Sequence, residues 1–479
     1  MNYSDFFKMI PEASLVAILI VLFVADFATA KTEERKWFNP LASVLLLLNT
    51  FVCLLPMEAQ TAFGGMYVTS ASVDVMKAIL SMGTFIVVLQ SRAWVEKSGK
   101  EGEFYMLIVS TLLGMFAMMS AGNFLMFFLG LEMASVPLAC AVAFDTYRKN
   151  SAEAAAKFII TATFSSGVML YGISFLYGAF GTLYFEDIAT KMQATPLTIM
   201  GLVFFFSGLG FKISLVPFHF WTADTYQGAP TTITGYLSVI SKGAAAFTLL
   251  SILFHVFGGM MQYWHVLMMI VVVLSITIAN FFAVRQGELK RFMAFSSISQ
   301  AGYIMLAAIG NDWATSVASL SYYVLIYVVA NMAVFTIIAV VEQNNGGKTN
   351  IDDYNGFYQT NPRLSFLMTL AMFSLGGIPP FAGMFSKFFV FMSGLNGADI
   401  STTMGAWSYA VVFIALLNTV ISLYYYLKIV KAMYIKHADH PLPTFQSDCN
   451  SKFALAVCTA GIMVFGVFSL VYEWIAAAV

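Results

Sequence analysis

Fourteen long apolar runs joined by short polar links leave this chain few ways to fold. They lie near 13–30, 39–57, 73–91, 103–121, 123–144, 153–178, 196–220, 231–257, 263–284, 291–310, 314–342, 363–392, 405–434 and 453–476, numbered here as spans 1 to 14. A bilayer core about 30 Å thick is crossed by a helix of about 20 mostly apolar residues. Within it, each backbone N–H and C=O must be paired inside a helix or a closed barrel. A barrel would show alternation in strands of about ten residues. These runs are continuous, so they predict helices. Composition agrees: 59% of residues are hydrophobic and 10% charged, with mean hydropathy +0.80. A soluble domain has roughly 45–50% and 25%. The first run has a weakly charged front and resembles the later spans more than a cleavable signal. The expectation is an all-α polytopic membrane protein with about 14 transmembrane helices.

Basic residues set its orientation. Lys31, Arg35, Lys36, Arg92, Lys97, Lys100, Arg148, Lys149, Arg285, Lys290, Arg291, Lys348, Arg363, Lys428, Lys431, Lys436 and Lys452 fall on one side, and only Lys8 and Lys191 on the other. The positive-inside rule makes the richer side cytoplasmic. Both termini then face outward.

Five basic residues remain inside the spans. Lys77 and Lys157 lie near helix ends, where a long side chain can snorkel to the headgroups. Lys212, Lys242 and Lys387 lie deeper, as does Glu132. Lys242 is eleven residues into its helix, about 17 Å along at 1.5 Å per residue. A charge at bilayer centre costs roughly 2.5–3.5 kcal/mol. Four such charges cost on the order of 10 kcal/mol, comparable to the stability of a whole domain. One pair reads as a structural staple; four groups on separate helices read as a charge-transport set. Burial lowers a lysine's proton affinity and a nearby carboxylate restores it, so a lysine that gains and loses such a neighbour loads and releases a proton.

Two spans are interrupted beside these lysines. In span seven Pro217 follows Lys212 by five residues. Having no N–H, it leaves the carbonyl of Ile213 without its helical partner. In span twelve Gly376, Gly377, Pro379 and Pro380 precede Lys387. Irregular backbone at membrane depth is tolerated where it is buried in protein or lines a wet cavity. The breaks are five spans apart, an odd offset that places them in opposite orientations. Spans 4–8 and 9–13 are therefore expected to form two inverted five-helix repeats with ion sites near the midplane. The order lysine–proline in one and proline–lysine in the other is taken as a further sign of inversion. The divisions expected are 1–102, 103–257, 258–435 and 436–479.

Other polar residues in or near the spans are candidates to hold a proton path: His219 at the cytoplasmic mouth of the first break, Ser241, Ser297, Gln300 and Tyr323. Thr234, Ser296, Ser299 and Asn331 belong to the same set: each polar residue of spans 8, 10 and 11 taken singly reads as an interhelical hydrogen bond, and together they read as holding water along a midplane path, while His255 and His265 read as interfacial. Cys53, Cys140, Cys449 and Cys458 are too scattered for an iron–sulfur or zinc site. There is no P-loop, GxGxxG or HExxH motif, and no basic tail for nucleic acid. No cofactor is expected in this chain.

The blocks LGLEMASVPL (129–138), SAEAAAKF (151–158), FKISLVPFHFWTADTYQGAPTTITGYLSVISKGAAAF (211–247), LKRFMAFSSISQAGYIMLAAIG (289–310) and SLGGIPPFAGMFSKFFVF (374–391) resemble the antiporter-like subunits of respiratory complex I, the proton-translocating NADH:quinone oxidoreductase. The resemblance runs over almost the whole chain. It implies that Glu132 and Lys212 are the coupled pair of a first half-channel, Lys242 a central relay and Lys387 the lysine of a second, outward half-channel. Quinone reduction in partner subunits would drive the cycle, with NADH, FMN, iron–sulfur clusters and quinone all bound there. The implied partners are other membrane-arm subunits, such as the antiporter-like subunit M and the small subunit K, together with lipid, protons and water. Relatives often carry histidine where this chain has Gln300, which cannot titrate, so water is expected to bridge there. Two rivals are a subunit of a multi-subunit sodium/proton antiporter and a membrane scaffold that no longer transports.

Overall fold

A computed structural model describes residues 3–29, 35–55, 59–438, 441–468 and 470–479; Lys31, counted above, lies outside them. A helix stands on each of the fourteen runs. Among the described residues, twelve helices are long and apolar enough to cross a membrane. Two runs fall short of that standard. Span two is a 16-residue helix, Phe38–Cys53, and span twelve is split into Pro362–Gly376 (12a) and Ala382–Leu395 (12b).

Local chemistry starts and stops these helices. The Asn123 and Asp312 side chains accept the N–H groups of Met126 and Thr315, supplying partners for donors that a helix start leaves free. Span six ends at Gly181, whose φ of +70° suits a residue without Cβ. Burial then sorts the spans. Every residue in the most apolar window of spans ten (Leu289–Ile309) and eleven (Trp313–Asn344) is buried, and 94% of that of span three (Ala71–Ser98). Span one (Ile10–Ala28) has 28% buried and span six (Lys149–Phe180) 33%, so these line the periphery. Glycine lets neighbouring helices approach closely. A Cβ on Gly114 would lie 2.4 Å from Ala134 N, and one on Gly130 2.5 Å from Met118 N, where spans four and five cross.

Span seven is also split. Its first half, Pro196–Ile213 (7a), stops at Ser214, and a second half, Phe220–Gly228 (7b), runs past the predicted end at 220. The two breaks are built alike. Each first half has proline at its first helical position and ends on a left-handed residue, Ser214 (φ +68°) or Gly377 (φ +82°). The next N–H then reaches back five residues: Leu215 N to Gly210 O at 2.8 Å, and Ile378 N to Phe373 O at 3.0 Å. Two isolated backbone bridges match as well. Asn123 pairs with Tyr184 across loops 4–5 and 6–7; Glu288 pairs with Asn350 across loops 9–10 and 11–12.

One small element has no apolar signature. Gln60–Ala62 and Tyr67–Thr69 form an antiparallel hairpin with Thr61 opposite Val68. It sits at the start of span three and contributes Tyr67 to the buried charges described next.

Candidate functional site

Lys212 is the penultimate residue of 7a and is buried; its Nζ donates to Ser135 Oγ at 2.7 Å. The amine lies 5.8 Å from the ring centre of Phe158. Span five carries both Ser135 and, one turn earlier, the half-buried Glu132. Among the described residues no ion pair within 4.0 Å joins Glu132 to Lys212. Pro137 interrupts the hydrogen bonding of the same helix and leaves the carbonyl of Met133 without its usual donor. The break itself is tied down by Val216 N to Ser275 Oγ (2.9 Å) and by Trp221 Nε1 to Phe211 O (3.1 Å). His219, expected near the cytoplasmic mouth of the break, is buried at the start of 7b.

Lys242 is 1% exposed and donates to Ser297 Oγ at 2.8 Å, with its amine 5.3 Å from the ring centre of Tyr226. A π-helical segment, Leu237–Ser241, immediately precedes it and includes Ser241. Such wide turns are rare and cluster at functional sites. Thr222, Thr225 and Thr232 nearby in the chain are buried with hydroxyls that have no partner among the described residues.

Lys387, in 12b, is buried across the second break and donates to Gly376 O at 3.0 Å. A Cβ on Gly377 would lie 3.1 Å from Lys387 Cδ, so the glycine makes room for the lysine stem. A cavity of about 10 Å³ beside Lys387 is lined by Gln300, Tyr323, Tyr327, Ser374 and Ser386, near the least space that holds one water. Gln300 closes it with direct bonds: its Nε2 donates to Leu375 O (3.2 Å) and Tyr426 Oη (3.1 Å), and its Oε1 accepts from Tyr323. These partners are two tyrosine hydroxyls and one backbone carbonyl. Tyr426 also bonds Ser296 at 2.6 Å, one residue from the partner of Lys242. Tyr426 and Ser135 had no distinguishing sequence signal.

Gly377→Ala is expected to displace Lys387 from Gly376 O and lower transport, on top of the roughly 1 kcal/mol that a left-handed alanine costs. Gly64→Ala, at φ +67° with open space around its Cβ, is the control for backbone strain alone. Equal losses in the two variants, measured as transport and thermal stability, would remove the steric argument.

The order of lysine and proline does not carry the inversion. A repeat turned over in the membrane keeps its chain order. Aligning the breaks on Ser214 and Gly377, which are 163 residues apart, sets Lys212 against Leu375 and Lys387 against Asp224. The two lysines thus occupy different places in the two halves. Asp224 is salt-bridged to Lys157 (2.8 Å) and Arg291 (2.6 Å), so Lys157 is half-exposed and paired.

Lys77 departs further from expectation. It does not snorkel: it is fully buried, 2.9 Å from Glu12 and 3.4 Å from Asp74, with Tyr67 Oη at 3.3 Å. Its carboxylate partners come from other turns and spans, so proximity to a helix end was a poor guide to exposure.

A sequence profile of the NADH:quinone oxidoreductase/Mrp antiporter transmembrane family matches residues 121–421. The chain belongs to that family. The match contains Glu132, Lys212, Lys242 and Lys387 and excludes Glu12, Asp74 and Lys77. Among members of the NADH:quinone oxidoreductase/Mrp antiporter family, the NADH-quinone oxidoreductase subunit N of Phocaeicola vulgatus is 54% identical over 476 residues, covering 99% of this chain and 98% of that one. A chain of respiratory complex I from Thermus thermophilus with bound aureothin superposes with a TM-score of 0.80 at 27% identity, covering 97% and 98%. A chain of the Mrp complex from Dietzia shares the fold at 16% identity, with a TM-score of 0.82 and coverage of 98% and 97%.

Proposed function

We propose that this chain is the N-type, proton-translocating membrane-arm subunit of NADH:quinone oxidoreductase, and that Glu132, Lys212, Lys242 and Lys387 carry the protons. One contrast carries the assignment. The buried lysine outside the family match, Lys77, is locked by two carboxylates. Four buried lysines lie inside it, and each rests on a neutral acceptor: a serine hydroxyl for Lys212, another for Lys242, and backbone carbonyls for Lys387 and for Lys290, which stands in the first turn of span ten. A locked lysine keeps its proton. A lysine on a neutral acceptor, in a medium that disfavours charge, can give it up.

The path runs from the Glu132–Lys212 break to Lys242, then along Ser297 and Ser296 to Tyr426, Gln300 and Lys387. Water on the buried threonine hydroxyls and beside Lys387 completes it. His219, Ser241 and Tyr323 line the path as polar neighbours. The matching breaks and bridges support two inverted repeats, 103–257 and 258–435, in a chain of fourteen crossings. The bridges Asn123–Tyr184 and Glu288–Asn350 are offset by 165 and 166 residues and fall on opposite ends of the bundle. The basic-residue asymmetry supports outward termini in a bacterial inner membrane. Driving redox chemistry belongs to partner subunits holding NADH, FMN, iron–sulfur clusters and quinone, and the flanking partners are subunits of the M and K types. The sodium/proton antiporter alternative rests on the Mrp fold and on a family that includes both kinds of protein, and the 54% relative favours the complex I reading.

The test is a double-mutant cycle. Glu132→Gln and Lys212→Met should each slow proton pumping by inverted vesicles. The double variant should lose much less than the two losses combined, since both act through one interaction. Strictly additive losses in log rate would mean that the two groups act independently. Pumping driven by sodium, without electron flow, would favour the antiporter.

A further inference from the structure

A cleft of about 680 Å³ opens between the starts of spans twelve and fourteen, away from every residue of the proton path. Its rim is built by 12a, which begins at Pro362, and by Cys449–Val467 of span fourteen. The connecting loop is pinned to the first helix: Asn361 Nδ2 donates to Pro443 O (3.1 Å), Phe445 N to Asn361 Oδ1 (3.3 Å) and Thr444 Oγ1 to Thr360 O (3.2 Å). Arg363 and Lys452 stand at this rim, each in the first turn of its helix. Both are exposed, and among the described residues neither forms an ion pair, whereas Lys8, Arg92, Arg148 and Lys436 do. No carboxylate lines the cleft. The one nearby, Asp448, is occupied in accepting Ser451 N.

Below the rim the chemistry changes. Leu364, Leu367, Leu455, Ala456 and Ala460 form the wall. The eight steps from Lys452 to Ala460 descend about 12 Å at 1.5 Å per residue. Two cations and the start of 12a, which favours negative charge, thus sit directly above an apolar trough. A free anion would use the rim and leave the wall bare. An apolar ligand would leave the cations unanswered. Both are satisfied by one amphiphile whose charge is at the headgroup level.

We propose that this cleft binds a single anionic phospholipid, with its phosphate on Arg363 and Lys452 and an acyl chain along the wall. Basic pockets between membrane helices on the positively charged face take such headgroups. The proposal does not depend on the proton path.

The test uses the intact purified assembly in detergent and a phosphatidylglycerol carrying a photoreactive group in its acyl chain. Cross-links should map to 360–367 and 444–460. Unlabelled phosphatidylglycerol should compete at least tenfold better than phosphatidylcholine, and glycerol 3-phosphate should not compete. Arg363→Glu with Lys452→Glu should lower the yield at least tenfold, and Ala456→Trp should lower it with the rim intact. Electron-transfer activity should persist in both. If the charge-reversed variant fails to assemble, the wild-type competition decides. Cross-links confined to other segments or to a neighbouring subunit would overturn the site. So would equal competition by phosphatidylcholine, or competition by glycerol 3-phosphate.

Discussion

Lys242→Ala is expected to abolish proton pumping while the chain still assembles. Lys242 is buried, and its only hydrogen-bond partner among the described residues is Ser297. Without it the proposed path loses the lysine that stands between Lys212 and Lys387. Assembly should survive, because Ser297 keeps its own bond to Ala294 O at 2.7 Å and no carboxylate is orphaned. Lys242→Arg should fail as well. A guanidinium stays protonated at any accessible pH and brings five donors to a site offering one hydroxyl. The measurement is acidification of inverted vesicles with NADH oxidation followed in parallel. A fully pumping arginine variant would show that Lys242 never releases its proton.

The second large effect is on stability. Lys77→Met would leave Glu12 and Asp74, 3% and 4% exposed, without the cation they share. Removing one partner of a buried ion pair costs about 3–5 kcal/mol, a large part of the 5–15 kcal/mol that holds a typical domain together. The variant should be depleted from purified assemblies and melt earlier in detergent. Adding Glu12→Gln and Asp74→Asn to Lys77→Met should restore most of the loss, since no net charge then remains in the cluster. A Lys77→Met chain that assembles at full stability but no longer pumps would move Lys77 from the frame into the proton path.

The spans and breaks were legible because their signals are local. A run of about 20 apolar residues needs no partner to be recognised, and a proline removes an N–H wherever it stands. The deep lysines were legible because their cost depends on depth, which the run gives directly. What escaped detection depends on contacts between distant segments. Lys77 looked like a snorkelling side chain until Glu12, 65 residues earlier, and the hairpin carrying Tyr67 closed over it. The half-helix 7b is hidden because WTADTYQG is polar, yet its Asp224 is held by Lys157 and Arg291 from two other spans. Ser135 and Tyr426 are ordinary membrane residues whose importance is set by what lies opposite them. Gln300 was read as a gap to be filled by water because only its inability to titrate is visible in the chain. Its three side-chain and backbone bonds are a property of spans ten, eleven, twelve and thirteen together.

The wide turn at Leu237–Ser241 has a consequence for how Lys242 is aimed. A π turn closes over five residues instead of four, so one extra residue is taken up without lengthening the helix by a full turn. Everything beyond it is rotated by about 100°, the angle of a single helical step. Span eight therefore carries two angular phases on one axis. The first phase, Thr231–Tyr236, packs chiefly against spans eleven and three; the second, Lys242–His255, adds 7a and span four while keeping contact with spans three, ten and eleven. The heading of the lysine is consequently set inside its own helix, and the half of the span that anchors it in the bundle is free to face elsewhere.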